Sequence, residues 1–407
     1  DLNKVKNIIN KNKLIEKTST YISPVFGSIK LESIINFMKE NKNRYQGELF
    51  FNRISKNQKR LKKWARKNRI SCYRIYDKDI PEIPLCLDIY TFLPEFVENK
   101  IDAAKYNSEL NSAISENGQK AREFLTQEKQ RTYARLYLYE RPYEKPFEEE
   151  ELWLKEMSFQ TSKALEIPES NVIVKMRKRQ RDDNGKRSQY KKTEETNSTK
   201  GIVFEQGQLF FVNLTDYIDT GIFFDHRPLR LKLRETCKGK RVLNLFCYTG
   251  SFSVYAAEGG AAFVESVDMS NTYTEWTKNN LKLNDFLDIQ SYKTTRMDVI
   301  HYLEEKAKQI KENEKFDIII LDPPTFSNSK NTDTTLDLNK DWSKLIEICS
   351  KLLSPKGTLY FSTNSRKLKM DENLLPPEMS AEEITSSTIP EDYRNSKIHR
   401  AWKITSI

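Results

Sequence analysis

The sequence predicts an α/β protein: a doubly wound parallel sheet in the C-terminal half, preceded by a small α+β domain. Three observations predict it. From about residue 214 onward, strand and helix patterns alternate, the grammar of a parallel sheet with helices on both faces. The strand patterns there include short apolar runs such as FDIIIL (Phe316 to Leu321), which read as strands buried on both faces. Before that point, β-branched and aromatic strands are mixed with charged helical stretches.

Taken in order, residues 1–47 read as a polar helical linker or end-cap, with IKLESIINFMKENKNR its best amphipathic piece. Residues 48–212 read as the small domain. ISKNQKRLKKWARKN is a basic helix; CYRIYD and LCLDIYTFLPEFVE are strands. Ala103 to Thr132 is charged and helical, ARLYLYERPY a strand, and Glu148 to Leu165 an amphipathic helix whose first turn is crowded with acids, as the helix dipole prefers. NVIVKMRKRQ and IVFEQGQLFFVNLT are further strands, separated by a polar tract read as a loop. Residues 213–407 then give RVLNLF, SFSVYAAEGG, FVESVD, NTYTEWTKNNLKLN, IQSYKTT, MDVIHYLEEKAKQ, FDIIIL, DWSKLIEICSKLL and GTLYFST in alternation, with KIHRAWKITSI as a last strand.

A chain of 407 residues has room for two or three domains. No apolar run reaches membrane-spanning length, and the polar start carries no signal-segment pattern. Five dispersed cysteines without a CxxC pair fit a reducing, cytoplasmic setting and offer no metal spacing. The formal charge is +10, and two stretches concentrate it. Arg53 to Arg69 holds nine basic residues and no acid, among them Lys59, Arg60, Lys62, Lys63, Arg66 and Lys67. Lys175 to Lys192, with Arg177, Lys178 and Arg179, holds nine against two aspartates. A charge run is commonly a solvated face. Two beside an enzyme-like sheet point to a polyanion such as RNA.

In such a sheet, ligands bind beyond the carboxyl ends of the strands. The first strand of the C-terminal half ends in Asn244, Phe246, Cys247, Tyr248, Thr249 and Gly250. Only one glycine stands there, not the G-x-G-x-x-G of a dinucleotide site. The second strand ends in Asp268, placed to accept both hydroxyls of a ribose. The third is followed by Asp298, placed to accept from an adenine amino group. An acid in either place also reads as the N-cap of the next helix. The fourth ends in Asp322-Pro323-Pro324 with Phe326 just beyond. The prolines cannot donate to a sheet ladder, so they stop the strand and stiffen the loop. Loop, acid, acid and D-P-P on successive strands describe a pocket for S-adenosylmethionine (SAM), with no metal.

These motifs resemble the guanine-N7 half, the C-terminal one, of the bacterial bifunctional 23S ribosomal RNA methyltransferases. The matching stretches are FNRISKNQKRLKKWARKNRISCYRIYDKDIPE, VNLTDYIDTGIFFDHR, VLNLFCYTGSFSVYAA, VDMSNTYTEWTKNNLKLN, DPPTFSNSK and DYRNSKIHRAWKIT. They cover roughly residues 48 to 407. Cys247 stands where a serine is common, and residues 114 to 130 look inserted. The resemblance implies a Rossmann-like class I SAM methyltransferase sheet behind an RNA-binding α+β domain. It implies a 23S RNA or large-subunit precursor as partner, and a THUMP and guanine-N2 methyltransferase module that this sequence lacks. It places SAM on Asp225, Arg227, Asn244, Phe246, Tyr248, Gly250, Asp268, Met269, Asp298 and Asp322. Arg227 is expected on the methionine carboxylate, with Asp225 closing over the same end. Asp225-His226-Arg227 also reads as a structural ion pair.

On this reading Asp322, Pro323, Pro324 and Phe326 form the catalytic corner, Phe326 stacking on a turned-out guanine, and Lys330 joins the RNA contacts. Guanine N7 is a bare lone pair, so no general base is expected. Cytosine C5 methylation needs a thiolate nucleophile, and the fifth strand end, FSTNSRK, has no cysteine; Cys349 reads as core. Exocyclic-amine (guanine-N2) methylation stays open, because D-P-P-T-F is one step from N-P-P-Y. So does a non-catalytic, RNA-binding assembly factor.

Overall fold

The computed structural model describes residues 21–23, 27–29, 31–139, 145–176, 198–328 and 335–407. A short hairpin, β1 (Tyr21–Ser23) with β2 (Gly27–Ile29), is followed by α1 (Leu31–Lys67). Then come β3 (Cys72–Asp77), β4 (Leu85–Thr91), α2 (Lys100–Glu116), α3 (Gln119–Gln130), β5 (Thr132–Leu138), α4 (Phe147–Leu165) and β6 (Val172–Met176). The four strands form one sheet in the order β3-β4-β5-β6, antiparallel except for the β5–β6 pair, which α4 bridges. Phe50 and Ile54 of α1 and Trp153 and Met157 of α4 fill its core with Leu85, Leu87 and Leu136.

Two boundaries differ from the sequence reading. α1 runs unbroken past residue 47, because it contains no proline and its one glycine sits at a helix crossing. A Cβ on Gly47 would stand 2.7 Å from Glu156 Oε1 of α4, so a larger residue would have to displace that side chain. The charged stretch ending at Thr132 is two helices, since Asn117 takes a left-handed conformation (φ 50) before Gly118.

IVFEQGQLFFVNLT is a hairpin, β7 (Lys200–Glu205) and β8 (Gln208–Asn213). Gln206 and Gly207 both have positive φ (51 and 100), as a two-residue turn between right-twisted strands demands. This hairpin bonds to both halves of the molecule. Ser71 N–H donates to Phe204 O at 2.8 Å on one side. Leu209 N–H and Phe211 N–H donate to the side chains of Asn284 and Asn280 on the other. The division expected between residues 212 and 213 therefore falls at the end of an element shared by both parts.

The C-terminal half contains α5 (Arg227–Thr236), β9 (Arg241–Leu245), α6 (Ser251–Glu258), β10 (Phe263–Asp268), α7 (Asn271–Leu283), β11 (Tyr292–Arg296), α8 (Val299–Gln309) and β12 (Phe316–Leu321). A short hairpin, β13 (Phe326–Asn328) and β14 (Thr335–Asp337), leads to α9 (Leu338–Leu352) and β15 (Leu353–Thr363). β16 (Met379–Glu383), α10 (Thr385–Thr388) and β17 (Arg400–Ser406) complete it. Seven strands make one sheet in the order β11-β10-β9-β12-β15-β17-β16. The first five are parallel, and β17 runs antiparallel to both neighbours. The edge strand β16 has no counterpart in the sequence reading: MSAEE lacks the apolar run that marks a central strand.

Period-2 alternation assigns the faces. Leu243, Leu245, Ile319 and Leu321 pack under α8 and α9. Val242, Ile318 and Ile320 pack under α5 and α6. Both faces are covered, so the free positions are the strand ends.

Candidate active site

β11, β10, β9 and β12 are adjacent and parallel, so their carboxyl ends form one edge. Gly250, Asp268, Asp298 and Asp322 all follow or end these strands. After β9 the chain passes through alternate left-handed residues: Phe246 (φ 53), Tyr248 (φ 51) and Gly250 (φ 75). Alternation of this kind turns successive N–H groups into a concavity suited to a polar ligand. For a non-glycine residue it costs about 1–2 kcal/mol, and the surroundings enforce it. Tyr248 N–H donates to Asp268 Oδ2 (3.1 Å), and Asn280 Nδ2 donates to Thr249 O (2.8 Å). At Gly250 a Cβ would stand 2.4 Å from Thr277 Cγ2, so no other residue fits.

Asp268 Oδ1 accepts from Ser270 N–H at 2.9 Å. Burial pushes the Asp268 carboxyl up to about 6, against three backbone donors. Met269 beside it is 39% exposed, an apolar surface at the same edge. Asp298 caps α8, with Oδ1 accepting from His301 N–H at 3.1 Å, which leaves Oδ2 for a ligand. The capping reading and the ligand reading thus concern different oxygens.

Two expected ligands have side chains packed against the protein. Asn244 is buried, and its amide donates to Ser253 Oγ (2.9 Å), which meets Ser266 Oγ (2.7 Å). It ties α6 to the strands beneath the site. Phe246 turns toward the core under α8 and α9. Tyr248 keeps its ring among Phe223 and Tyr273, and its hydroxyl accepts from Gly221 N–H at 2.8 Å.

Arg227 is a third correction. It is 1% exposed, and its guanidinium donates to Glu205 Oε2 (2.8 Å), Asp392 Oδ1 (2.7 Å) and Cys72 O (3.0 Å). Arg230 adds two bonds to Glu205 Oε1. Arg227 therefore joins β3, the β7–β8 hairpin and the C-terminal segment, and its burial keeps it from a cofactor carboxylate. Its ion-paired reading is the one its burial requires.

At the tip of β12, Asp322 Oδ1 accepts from the Ser362 hydroxyl at 2.6 Å. Asp322 Oδ2 lies 3.2 Å from His226 Nε2. The His226 ring stacks on His399, with centroids 4.7 Å apart. His399 Nδ1 lies 3.0 Å from Asp225 Oδ2, and its Nε2 lies 2.9 Å from Thr388 Oγ1. Asp225 is thus committed to His399, and at 3.8 Å to His226. Burial opposes charge throughout this chain. Asp322 and then Asp225 nonetheless push His226 up to about 9. In return, His226 and the Ser362 hydroxyl hold Asp322 below the usual carboxylate range despite burial. Asp225 is likewise held down by His226 and His399. The corner therefore presents an anion backed by an imidazolium.

Sequence reasoning missed His226 and His399 as site residues. The signal was present: the chain has only three histidines, and two meet here. Asp225, His226 and His399 also bring metal-ligating atoms within 4.8 Å of one another, but those of Asp225 and His399 are already engaged with each other. Pro323 is buried and Pro324 half-buried, whereas Phe326, opening β13, is 60% exposed.

On the basic helix, Arg60 pairs with Glu391 (2.8 Å) and Arg66 with Glu128 (3.1 Å), so these two serve domain contacts. Lys59, Lys63 and Lys67 recur every fourth residue and are exposed, as is Lys62. Arg177, Lys178, Arg179 and Lys330 lie outside the described residues. Cys349 is fully buried in the core, and burial raises its thiol and that of Cys247; neither is an accessible nucleophile. Among the described residues no helix is long and apolar enough to cross a membrane.

The residues at the edge fit SAM. A half-buried carboxyl with a raised pKa, Asp268, offers lone pairs to a diol. A left-handed loop supplies N–H groups, Met269 an apolar face and Asp298 a free oxygen.

Residues 123–397 match a family model described as S-adenosylmethionine-dependent methyltransferase. The chain is 39% identical over 355 residues to the ribosomal RNA large subunit methyltransferase K of Neisseria meningitidis serogroup B, covering 87% of this chain and 86% of that protein. It is 38% identical over 367 residues to the ribosomal RNA large subunit methyltransferase K/L of Pseudomonas aeruginosa. There the match covers 88% of this chain but 42% of that protein, so the chain spans less than half of the K/L relative. Among solved structures, a putative methyltransferase complexed with SAH superposes with a TM-score of 0.60 at 21% identity, over 88% of this chain and 81% of that one. A putative SAM-dependent methyltransferase from Streptococcus mutans does so at 0.58 and 20%, with the same coverage. These two likenesses concern the fold.

Proposed function

We propose a substrate and an acceptor atom for this chain, which belongs to the S-adenosylmethionine-dependent methyltransferase family: it transfers a methyl group to N7 of a guanine in large-subunit ribosomal RNA. The RNA substrate follows from the relatives' names, one of them matched over 86% of its length. The observation that carries the N7 reading is the state of Asp322. Backed by His226 and Ser362, its carboxylate is held below the usual range. Such a carboxylate is a poor proton acceptor and a good hydrogen-bond acceptor.

When bound, SAM supplies an electrophilic methyl on a sulfonium. The protein's part is to hold the base in line. Positioning of this kind is worth about 7–11 kcal/mol of barrier. Guanine N7 carries a lone pair and no proton, so attack needs no base. Asp322 accepts from the guanine N1–H and amino group, and its charge offsets the cation that N7 methylation creates. Phe326 stacks on the purine, a contact worth about 1–3 kcal/mol per base. Pro323 and Pro324 keep the corner from relaxing. A guanine inside a helix must first turn out to reach it. Methylation at the exocyclic N2 would instead release a proton, and a carboxylate paired to an imidazolium is poorly disposed to take it.

Incubating large-subunit ribosomal RNA with the protein and SAM, then analysing the nucleosides by mass spectrometry, tests this. Formation of 7-methylguanosine supports it. N2-methylguanosine in its place would overturn the acceptor assignment.

A further inference from the structure

Beside the Asp322 corner the carboxyl edge continues into a cleft of about 480 Å³. Its walls are the loop after β15, with Asn364 and Arg366, and the segment entering β17, with Ser396, Lys397, His399 and Arg400. The cleft adjoins the corner through two contacts. Thr325, between Pro324 and Phe326, donates to Asn364 Oδ1 at 2.8 Å. His399, which lines the cleft, stacks on the His226 that backs Asp322.

The charges in it are not all spoken for. Arg400 is held bidentately by Glu383, at 3.1 and 2.8 Å, so that pair is neutral. Arg366 and Lys397 are exposed and make no ion pair among the described residues. They leave the cleft cationic, and the hydroxyl and amide of Ser396 and Asn364 flank them. The volume lies within the range of roughly 300–1,000 Å³ typical of small-ligand sites, more than a bare inorganic anion needs.

We propose that this cleft is an RNA-backbone subsite, taking the sugar and phosphate of a nucleotide that adjoins the target guanine. Arg366 and Lys397 hold the phosphate; Asn364 and Ser396 face the sugar. The physical need is specific. A base turned out of its stack presents N7 in one orientation only if its backbone is held beside it, and phosphate contacts fix register without reading sequence. The inference rests on the reading that the substrate is RNA, but not on which guanine atom is methylated.

The test uses the full chain and a fluorescein-labelled twelve-nucleotide oligouridine carrying one central guanosine. Binding is followed by anisotropy across a salt series. Each phosphate contact on a single strand contributes about 0.7 to the log–log salt slope. R366Q/K397Q should lower the slope by about 0.7, one phosphate's share, and weaken binding by about fivefold at 0.1 M salt, while calorimetric SAM affinity stays unchanged. R366K/K397R should keep most of the slope. An unaltered slope and affinity in R366Q/K397Q would overturn the subsite.

A second arm leaves the protein untouched, which covers a variant that fails to fold. Neutral methylphosphonate linkages are placed one at a time along the oligomer. A linkage flanking the guanosine should weaken binding more than distal ones; equal effects at every position would also overturn the proposal. The outcome is separable from that of the acceptor assignment. If 7-methylguanosine forms in ribosomal RNA while these substitutions change nothing, the subsite alone fails. If the linkages matter but no 7-methylguanosine forms, the acceptor assignment alone fails.

Discussion

His226 Nε2 lies 3.2 Å from Asp322 Oδ2: a buried imidazole stands behind a carboxylate that keeps 28% of its surface open. With its pKa raised from 6.5 to about 9, His226 contributes stability that is fully present below about pH 6.5 and is lost as pH rises through 9. Methyl transfer should fall over the same alkaline limb, because a neutral imidazole no longer forms the ion pair that holds the Asp322 carboxylate in place. H226Q keeps a donor but no charge. It should retain part of kcat and lose the limb near pH 9, whereas H226A should lose most of kcat. A pH–rate profile of the three proteins checks this; an unchanged limb in H226Q would assign it to another group.

Asp268 titrates in the opposite sense. Its carboxyl is raised from 3.8 to about 6, so the charged form, the one proposed to accept from the ribose hydroxyls, is lost below that pH. SAM affinity should therefore fall as pH drops through about 6, by at most tenfold per pH unit for one proton. In D268N the dependence should vanish, with weak binding throughout. Calorimetry from pH 5 to 8 reads both effects.

Arg227 should behave as a keystone and not as a ligand. Removing one partner of a buried ion pair typically costs about 3–5 kcal/mol, and here Asp392 loses its counter-charge while Glu205 keeps only Arg230. R227A should lower the denaturation midpoint sharply. A folded, stable R227A with selectively lost SAM affinity would restore the cofactor role.

Phe326 is exposed, so its loss should leave stability within about 0.5 kcal/mol. F326A should raise the KM for RNA by about 5- to 150-fold if the stack is worth about 1–3 kcal/mol, with SAM affinity unchanged. Steady-state kinetics with RNA varied at saturating SAM separates the two.

How legible the site was depended on what each residue's neighbours in sequence reveal. Gly250, Asp268, Asp298 and Asp322 follow apolar strands that declare themselves, so their common edge could be read without coordinates. Arg227 and Asn244 sit in the same motifs, yet sequence carries no measure of depth. One lies under an ion-pair network and the other under α6. The contact of His226 with His399 joins the start of α5 to the entry of β17, and no local periodicity encodes such a meeting. α1 and the β7–β8 hairpin cross the expected boundaries, because the extent of a resemblance and a change of pattern along the chain do not show which contacts an element makes. The hairpin's side-chain and main-chain bonds reach both ways.

The most direct measurement pairs calorimetry with nucleoside mass spectrometry on wild type and D322N. D322N should bind SAM within about threefold of wild type if the cofactor takes the neighbouring strand ends, yet form at least a hundredfold less 7-methylguanosine, a change of about 2.7 kcal/mol in the barrier. Undiminished 7-methylguanosine from D322N, or equal loss of SAM binding and methyl transfer, would contradict a base-holding role for Asp322.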